Sequence, residues 1–220
     1  YHAMKKRGKI DATYKFIAFG GDGGTYDIGF QSLSGAMERG HDLVYVCYDN
    51  EAYMNTGIQK SGLTPFGAKT TTTPAGKNIH GNIRPKKNMF EIAAAHDIPY
   101  AATATVGYMN DFLDKVKKAS QIKGTKYIHV IAPCPTGWGI PVSDTVDAAR
   151  EIADCGLWYL AEYENGEFIL NHDPKEFTDV AEYMKKQGRF KHLTDEDIAL
   201  IVRSRDEKWE KIRKNWKTKE

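Results

Sequence analysis

Two short apolar runs, "YKFIAFG" at 14–20 and "DLVYVCY" at 42–48, each end in a cluster of glycine, acid and amide residues, and one helical period lies between them. Each run has the length and apolar continuity of a buried parallel strand. Between them Ile28, Leu33, Ala36 and Met37 share one face of a helix, and Gly40 is placed to close it. Strand, helix, strand in about 35 residues is a βαβ unit, which is right-handed and implies a parallel sheet. In such sheets ligands lie at the carboxyl ends of the strands. Both clusters, "GGDGG" at 20–24 and "DNEAYMNTG" at 49–57, fall there. A simple strand-to-helix turn needs one glycine and a cap, so the surplus points to a ligand held close to the backbone.

The alternation continues. Residues 61–87 show no period and read as a long binding loop. "NMFEIAAAHD" reads as a helix, "YAATATV" as a strand, "MNDFLDKVKKAS" as a helix and "KYIHVIAPC" as a third buried strand. Beyond Pro141 the pattern changes to a helix at 144–154, a hairpin turning on Asn165-Gly166, and charged helical stretches at 173–188 and 194–217. The expected organisation is an α/β domain over 1–140 and a mainly helical extension with a hairpin over 141–220.

Composition narrows the function. The 31 basic and 29 acidic residues leave a net charge of +2, and no stretch resembles a basic reading helix, so a nucleic-acid partner is not expected. No apolar run reaches the roughly 20 residues of a membrane span, and a membrane role is not expected either. The three cysteines, Cys47, Cys134 and Cys155, are too few for a disulfide framework, which fits a cytoplasmic location. The chain opens on Tyr1 and reaches a strong strand almost at once, so it is expected to begin inside a longer polypeptide.

Asp22 stands among Gly21, Gly23 and Gly24, where bare backbone N–H groups can face an anion. Asn50, 28 residues on, follows the next strand and can bring an amide oxygen to the Asp22 carboxylate. One carboxylate, one amide oxygen and a backbone carbonyl would make a hard-oxygen set that suits Mg²⁺ with phosphate oxygens completing its shell. The competing local reading is a tight turn with Asp22 as a helix cap.

Gly-Asp-Gly followed after 25 to 30 residues by an amide is the pattern of thiamine diphosphate enzymes. "GDGGTYDIGFQSL", "YDNEAYMNTG", "SGLTPFGAKTTTTPAGK" and "IAPCPTGW" together resemble the β subunits of the pyruvate branch of the 2-oxoacid:ferredoxin oxidoreductases over nearly the whole chain. The resemblance implies a parallel-sheet thiamine diphosphate-binding fold of the α/β class with helices on both faces. It implies Mg²⁺ on Asp22, Asn50 and the Ala52 carbonyl, with Gly21, Gly23, Gly24 and Thr56 lining the cofactor and Asn55 as the main polar active-site residue. It also implies Cys134 as the last of four ligands to a [4Fe-4S] cluster, the others lying outside this chain. Taken alone, Cys134 reads as a small buried hydrophobe and Asn55 as an Asx turn.

The activity implied is oxidative decarboxylation of pyruvate to acetyl-coenzyme A and CO₂, reversible, with electrons passed to ferredoxin. The partners implied are α-, γ- and δ-type subunits, ferredoxin, pyruvate and coenzyme A. Two other readings stay open: a non-redox thiamine decarboxylase or carboligase subunit, and a non-catalytic assembly module. The resemblance does not fix which 2-oxoacid is used. His129 in "YIHVIA" reads as a core histidine with a backbone partner, "KNIHGNIRPKK" as a phosphate- or coenzyme A-contacting loop or a solvated one, and Trp209 and Trp216 as packing residues of the last helix.

Overall fold

The structure is a computed structural model that describes residues 1–76 and 79–219. In chain order its elements are α1 (His2–Lys6), β1 (Phe16–Gly21), α2 (Phe30–Glu38), β2 (Leu43–Asp49), β3 (Ala75–Gly76), β4 (Ile79–His80), α3 (Met89–Ala94), β5 (Tyr100–Thr105), α4 (Met109–Gln121) and β6 (Thr125–Ile131). There follow α5 (Pro135–Trp138), α6 (Thr145–Asp154), β7 (Ala161–Glu164), β8 (Glu167–Leu170), α7 (Val180–Lys185), α8 (Asp195–Asn215) and β9 (Lys217–Thr218).

Seven strands form one sheet in the order β1-β2-β6-β5-β7-β8-β9, and β1, β2, β6 and β5 are mutually parallel. Alternate residues of these strands enter different cores, as the period of two requires. Val44, Val46, Ile128 and Val130 pack with Ala119, Phe112 and Val116 of α4. Cys47, Tyr127 and Ala101 pack on the opposite face with Leu33 and Met37 of α2, Phe90 of α3 and Trp209 of α8. Each fully buried large side chain such as Ile128 contributes about 1.5–3 kcal/mol from leaving water. A third cluster, containing Ile131, Trp138, Ile152, Trp158, Tyr183 and Phe190, joins the parallel part to the segment after Pro141.

That later segment extends the same sheet. β7 runs antiparallel beside β5 and turns into β8 through Asn165 and Gly166, whose φ values of 48° and 91° give the expected type I′ geometry. Thr194 and Asp197 form a reciprocal capping box that starts α8. The stretch at 173–188 is less helical than its charge pattern predicts, with α7 confined to Val180–Lys185. No described helix is long and apolar enough to cross a membrane.

Two expectations need correcting. β1 is not a buried strand: it forms the sheet edge, and Ile17 and Phe19 are 56% and 70% exposed because α4 packs over β5 and β6. Ile28 does not share the buried face of α2. A π-helical turn, Gly24–Ile28, precedes that helix and rotates Ile28 outward, while Leu33 and Met37 are buried as expected.

Candidate cofactor site at the ends of β1 and β2

Asp22 follows β1 directly and is buried at 1% exposure. The next residues coil into the π-helical turn, a feature that recurs at functional sites. The glycines around Asp22 have separate reasons. A Cβ on Gly23 would lie 2.2 Å from the Tyr53 ring, whose hydroxyl donates to the Gly23 carbonyl at 3.0 Å. A Cβ on Gly24 would meet nothing within 4 Å, and on Gly21 only the Tyr48 ring at ordinary contact.

From the neighbouring strand, Asn50 brings one terminal atom of its carboxamide to 2.7 Å from the Ala52 carbonyl oxygen and 3.0 Å from Asp22 Oδ1. With nitrogen there, the amide donates to both. With oxygen there, three acceptors converge, and a cation or a proton on Asp22 would hold them together. The spacing serves either arrangement: 2.7 and 3.0 Å are ordinary hydrogen-bond lengths, and adjacent oxygens of an octahedral Mg²⁺ with bonds of about 2.0–2.1 Å also sit about 3 Å apart. No group of three His, Cys, Asp or Glu side chains suited to a metal occurs among the described residues, and this set contains one carboxylate only. The donor set fits a hard, phosphate-sharing divalent ion.

Electrostatics around this point are shaped by residues the sequence reading did not select. Burial, and then the Asp49 charge, push Asp22 up to about 7, against the Ser61 hydroxyl that donates to its Oδ2. Asp49 is fully buried at the end of β2. Burial alone would raise it, but Lys86 Nζ at 2.5 Å and His129 Nε2 at 2.9 Å hold it below the usual carboxylate range. Asp49 Oδ1 also accepts from the Glu51 amide at 2.8 Å. Burial lowers His129, whose Nδ1 lies 3.3 Å from the Tyr26 hydroxyl, so its partners are side chains and not the expected backbone. Lys86, from the loop read as solvated or phosphate-contacting, is instead bound to Asp49 and Glu51. A charged residue in a glycine- and lysine-rich loop carries no sequence signal of such burial.

The remaining sequence-predicted residues stand apart from this hydrogen-bond network. Asn55 and Thr56 are exposed in a turn over residues 54–58, and the Asn55 carboxamide makes no hydrogen bond among the described residues, so the local Asx-turn reading is not what is found. Thr56 Oγ1 donates to Gln59 Oε1 at 2.5 Å. Cys134 caps α5, half-buried, with Sγ accepting from the Gly137 amide at 3.4 Å, and Met54 packs against that same helix. Trp138 Nε1 donates to the Asn50 carbonyl at 2.9 Å, which ties α5 to the loop after β2. Cys47 and Cys155 are buried elsewhere as free thiols, so Cys134 is joined by no second cysteine among the described residues.

Residues 4–130 match the family model described as thiamine pyrophosphate enzyme, C-terminal TPP binding domain. The pyruvate synthase subunit PorB of Methanocaldococcus jannaschii is 57% identical over 205 residues, covering 93% of this chain and 69% of that protein. The ketoisovalerate oxidoreductase subunit VorB of Pyrococcus furiosus is 49% identical over 214 residues, covering 96% and 69%. A solved 2-oxoglutarate:ferredoxin oxidoreductase from Magnetococcus marinus, 20% identical, superposes with a TM-score of 0.56 over 84% of this chain and 54% of that one, and shares the fold. With its sheet-end site in place, the chain belongs to the thiamine pyrophosphate-binding PorB and VorB subunit family of the 2-oxoacid oxidoreductases.

Proposed function

We propose that this chain holds the Mg²⁺-diphosphate end of thiamine diphosphate in a pyruvate:ferredoxin oxidoreductase. The observation that carries the reading is the convergence of Asp22 Oδ1, the Asn50 carboxamide and the Ala52 carbonyl at the ends of two adjacent parallel strands. When bound, the cofactor supplies the carbon nucleophile that decarboxylates a 2-oxoacid. The chain's own residues do the rest. Asp22, Asn50 and Ala52 offer the cation three oxygens, Gly21 and Gly23 let backbone approach the diphosphate, and open space at Gly24 leaves room beside it. Asn55 and Thr56, on an exposed turn, face outward where a substrate or a second subunit can reach them.

Pyruvate is the proposed 2-oxoacid because PorB relatives reach higher identity than VorB relatives. Coenzyme A, ferredoxin and further subunits complete the reaction, and free cysteines throughout accord with a cytoplasmic setting. Cys134 offers one thiolate to a [4Fe-4S] cluster. A cluster takes four, so the residues of this chain do not fit one unaided.

Titration calorimetry of thiamine diphosphate with Mg²⁺ tests the proposal, using the subunit assembled with its partner chains. Binding is expected to disappear in Asp22→Ala. Undiminished binding in that variant would refute the assignment. Turnover of pyruvate against 3-methyl-2-oxobutanoate in the same assembly then decides the substrate.

A further inference from the structure

The cation-binding loop contains a backbone conformation that its sequence does not favour. Glu51, between Asn50 and Ala52, has φ of 69°, the left-handed region that glycine or asparagine adopts readily and glutamate does not. That turn brings the Asn50 carboxamide and the Ala52 carbonyl to one point. Glu51 is 3% exposed; Lys86 Nζ donates to its Oε1 at 2.8 Å, and an Arg189 guanidinium nitrogen lies 2.6 Å from its Oε2 as an ion pair without hydrogen-bond geometry.

Arg189 comes from the segment after Pro141, far outside the matched cofactor-binding region, yet it is 6% exposed and held in every direction. Its guanidinium lies 3.8 Å from the centre of the Trp138 ring, the same indole whose Nε1 donates to the Asn50 carbonyl. Its Nε donates to Gln187 Oε1 at 2.9 Å, and its carbonyl accepts from the Lys69 amide at 3.0 Å. The preceding Gly188 donates to the Gly139 carbonyl at 3.2 Å, and a Cβ on Gly139 would come within 2.9 Å of Gly188, whereas one on Gly188 would make only ordinary contact at 3.4 Å, so the approach depends on Gly139. The guanidinium is thus locked before it meets Glu51, which is the condition for a side chain to impose geometry on a neighbour.

We infer that Arg189 is a positioning residue for the cation site: through Glu51 and Trp138 it holds the loop at 50–52 in the conformation that gathers the metal ligands. The inference rests on the proposed role of Asp22, Asn50 and Ala52. It gives the C-terminal segment a function in cofactor affinity, distinct from packing.

The test uses the assembled oxidoreductase with thiamine diphosphate and Mn²⁺ as the paramagnetic probe, its affinity read by electron paramagnetic resonance. Arg189→Met and Glu51→Gln are expected to weaken Mn²⁺ binding at least tenfold. Arg189→Lys, which keeps the charge without the planar fork, is expected to fall between them and the parent. Arg213→Met breaks a different ion pair of the same segment, to Asp173, and is expected to leave the affinity unchanged. Parent affinity in Arg189→Met and Glu51→Gln overturns the inference, as does equal weakening in Arg213→Met. Should Arg189→Met fail to fold, Arg189→Lys and Glu51→Gln decide. Asp22→Ala run in parallel separates the two claims: if it binds Mn²⁺ normally the cation site itself is misassigned, whereas its loss beside normal Arg189 variants removes only the positioning role.

Discussion

Trp138 Nε1 donates to the main-chain carbonyl of Asn50 across 2.9 Å, joining the helix that Cys134 caps to the loop that follows β2. The indole is fully buried, so no solvent can replace it. Trp138→Phe keeps a ring beneath Arg189 but leaves the Asn50 carbonyl without its donor. The expected loss is about 1–3 kcal/mol in urea denaturation, with weaker cofactor binding in calorimetry.

Asp22 gives the site a proton to release. Because its pKa is raised from 3.8 to about 7, the folded state holds this proton more tightly than the unfolded chain does. Its contribution to stability without metal is therefore complete below about pH 4 and is lost as pH rises through about 7. A cation needs the carboxylate, so apparent Mg²⁺ affinity should fall about tenfold per pH unit below 7 and level off above it. Calorimetry in buffers of different ionisation enthalpy would show the released proton, and pH-dependent denaturation of Asp22→Asn would lack the decline.

Adjacent glycines should respond in opposite ways. Gly23→Ala drives a methyl into the Tyr53 ring and is expected to destabilise by about 1–3 kcal/mol or more, whereas Gly24→Ala enters open space and should be close to neutral. Pairing Gly23→Ala with Tyr53→Ala should recover most of the loss, and a double-mutant cycle in thermal denaturation measures it.

The three thiols should separate by reactivity. Cys47 and Cys155 are fully buried; burial pushes both up, Cys155 to about 12, and keeps them from reagents. Cys134 is only half-buried. Titration of the native chain with a disulfide reagent should therefore modify one thiol, mapped to Cys134, and the other two only after denaturation.

The βαβ unit was legible because apolar runs and glycines report local geometry. The type I′ turn at Asn165-Gly166 was legible for the same reason, and so was the packing of Trp209. What the sequence could not show was how distant charges pair. Lys86, Glu51 and Arg189 look like solvated residues in any window, and only the fold brings Arg189 to Glu51. His129 was readable as a core residue, but its partner Asp49 lies on a neighbouring strand, a register fact that periodicity does not carry. The antiparallel docking of β7 beside β5 was equally hidden, since a hairpin states its own turn and not its neighbour. The exposure of β1 was misjudged because apolar composition says a face will be covered without saying by what.

That last feature sets the colloidal behaviour of the chain. A strand at a sheet edge with Ile17 and Phe19 in water is a template onto which another copy can add by the same backbone bonds that join β1 to β2. In isolation the chain should therefore carry a concentration ceiling set by its first strand, and a charged substitution such as Phe19→Lys should raise that ceiling more than any change on its well-charged helices.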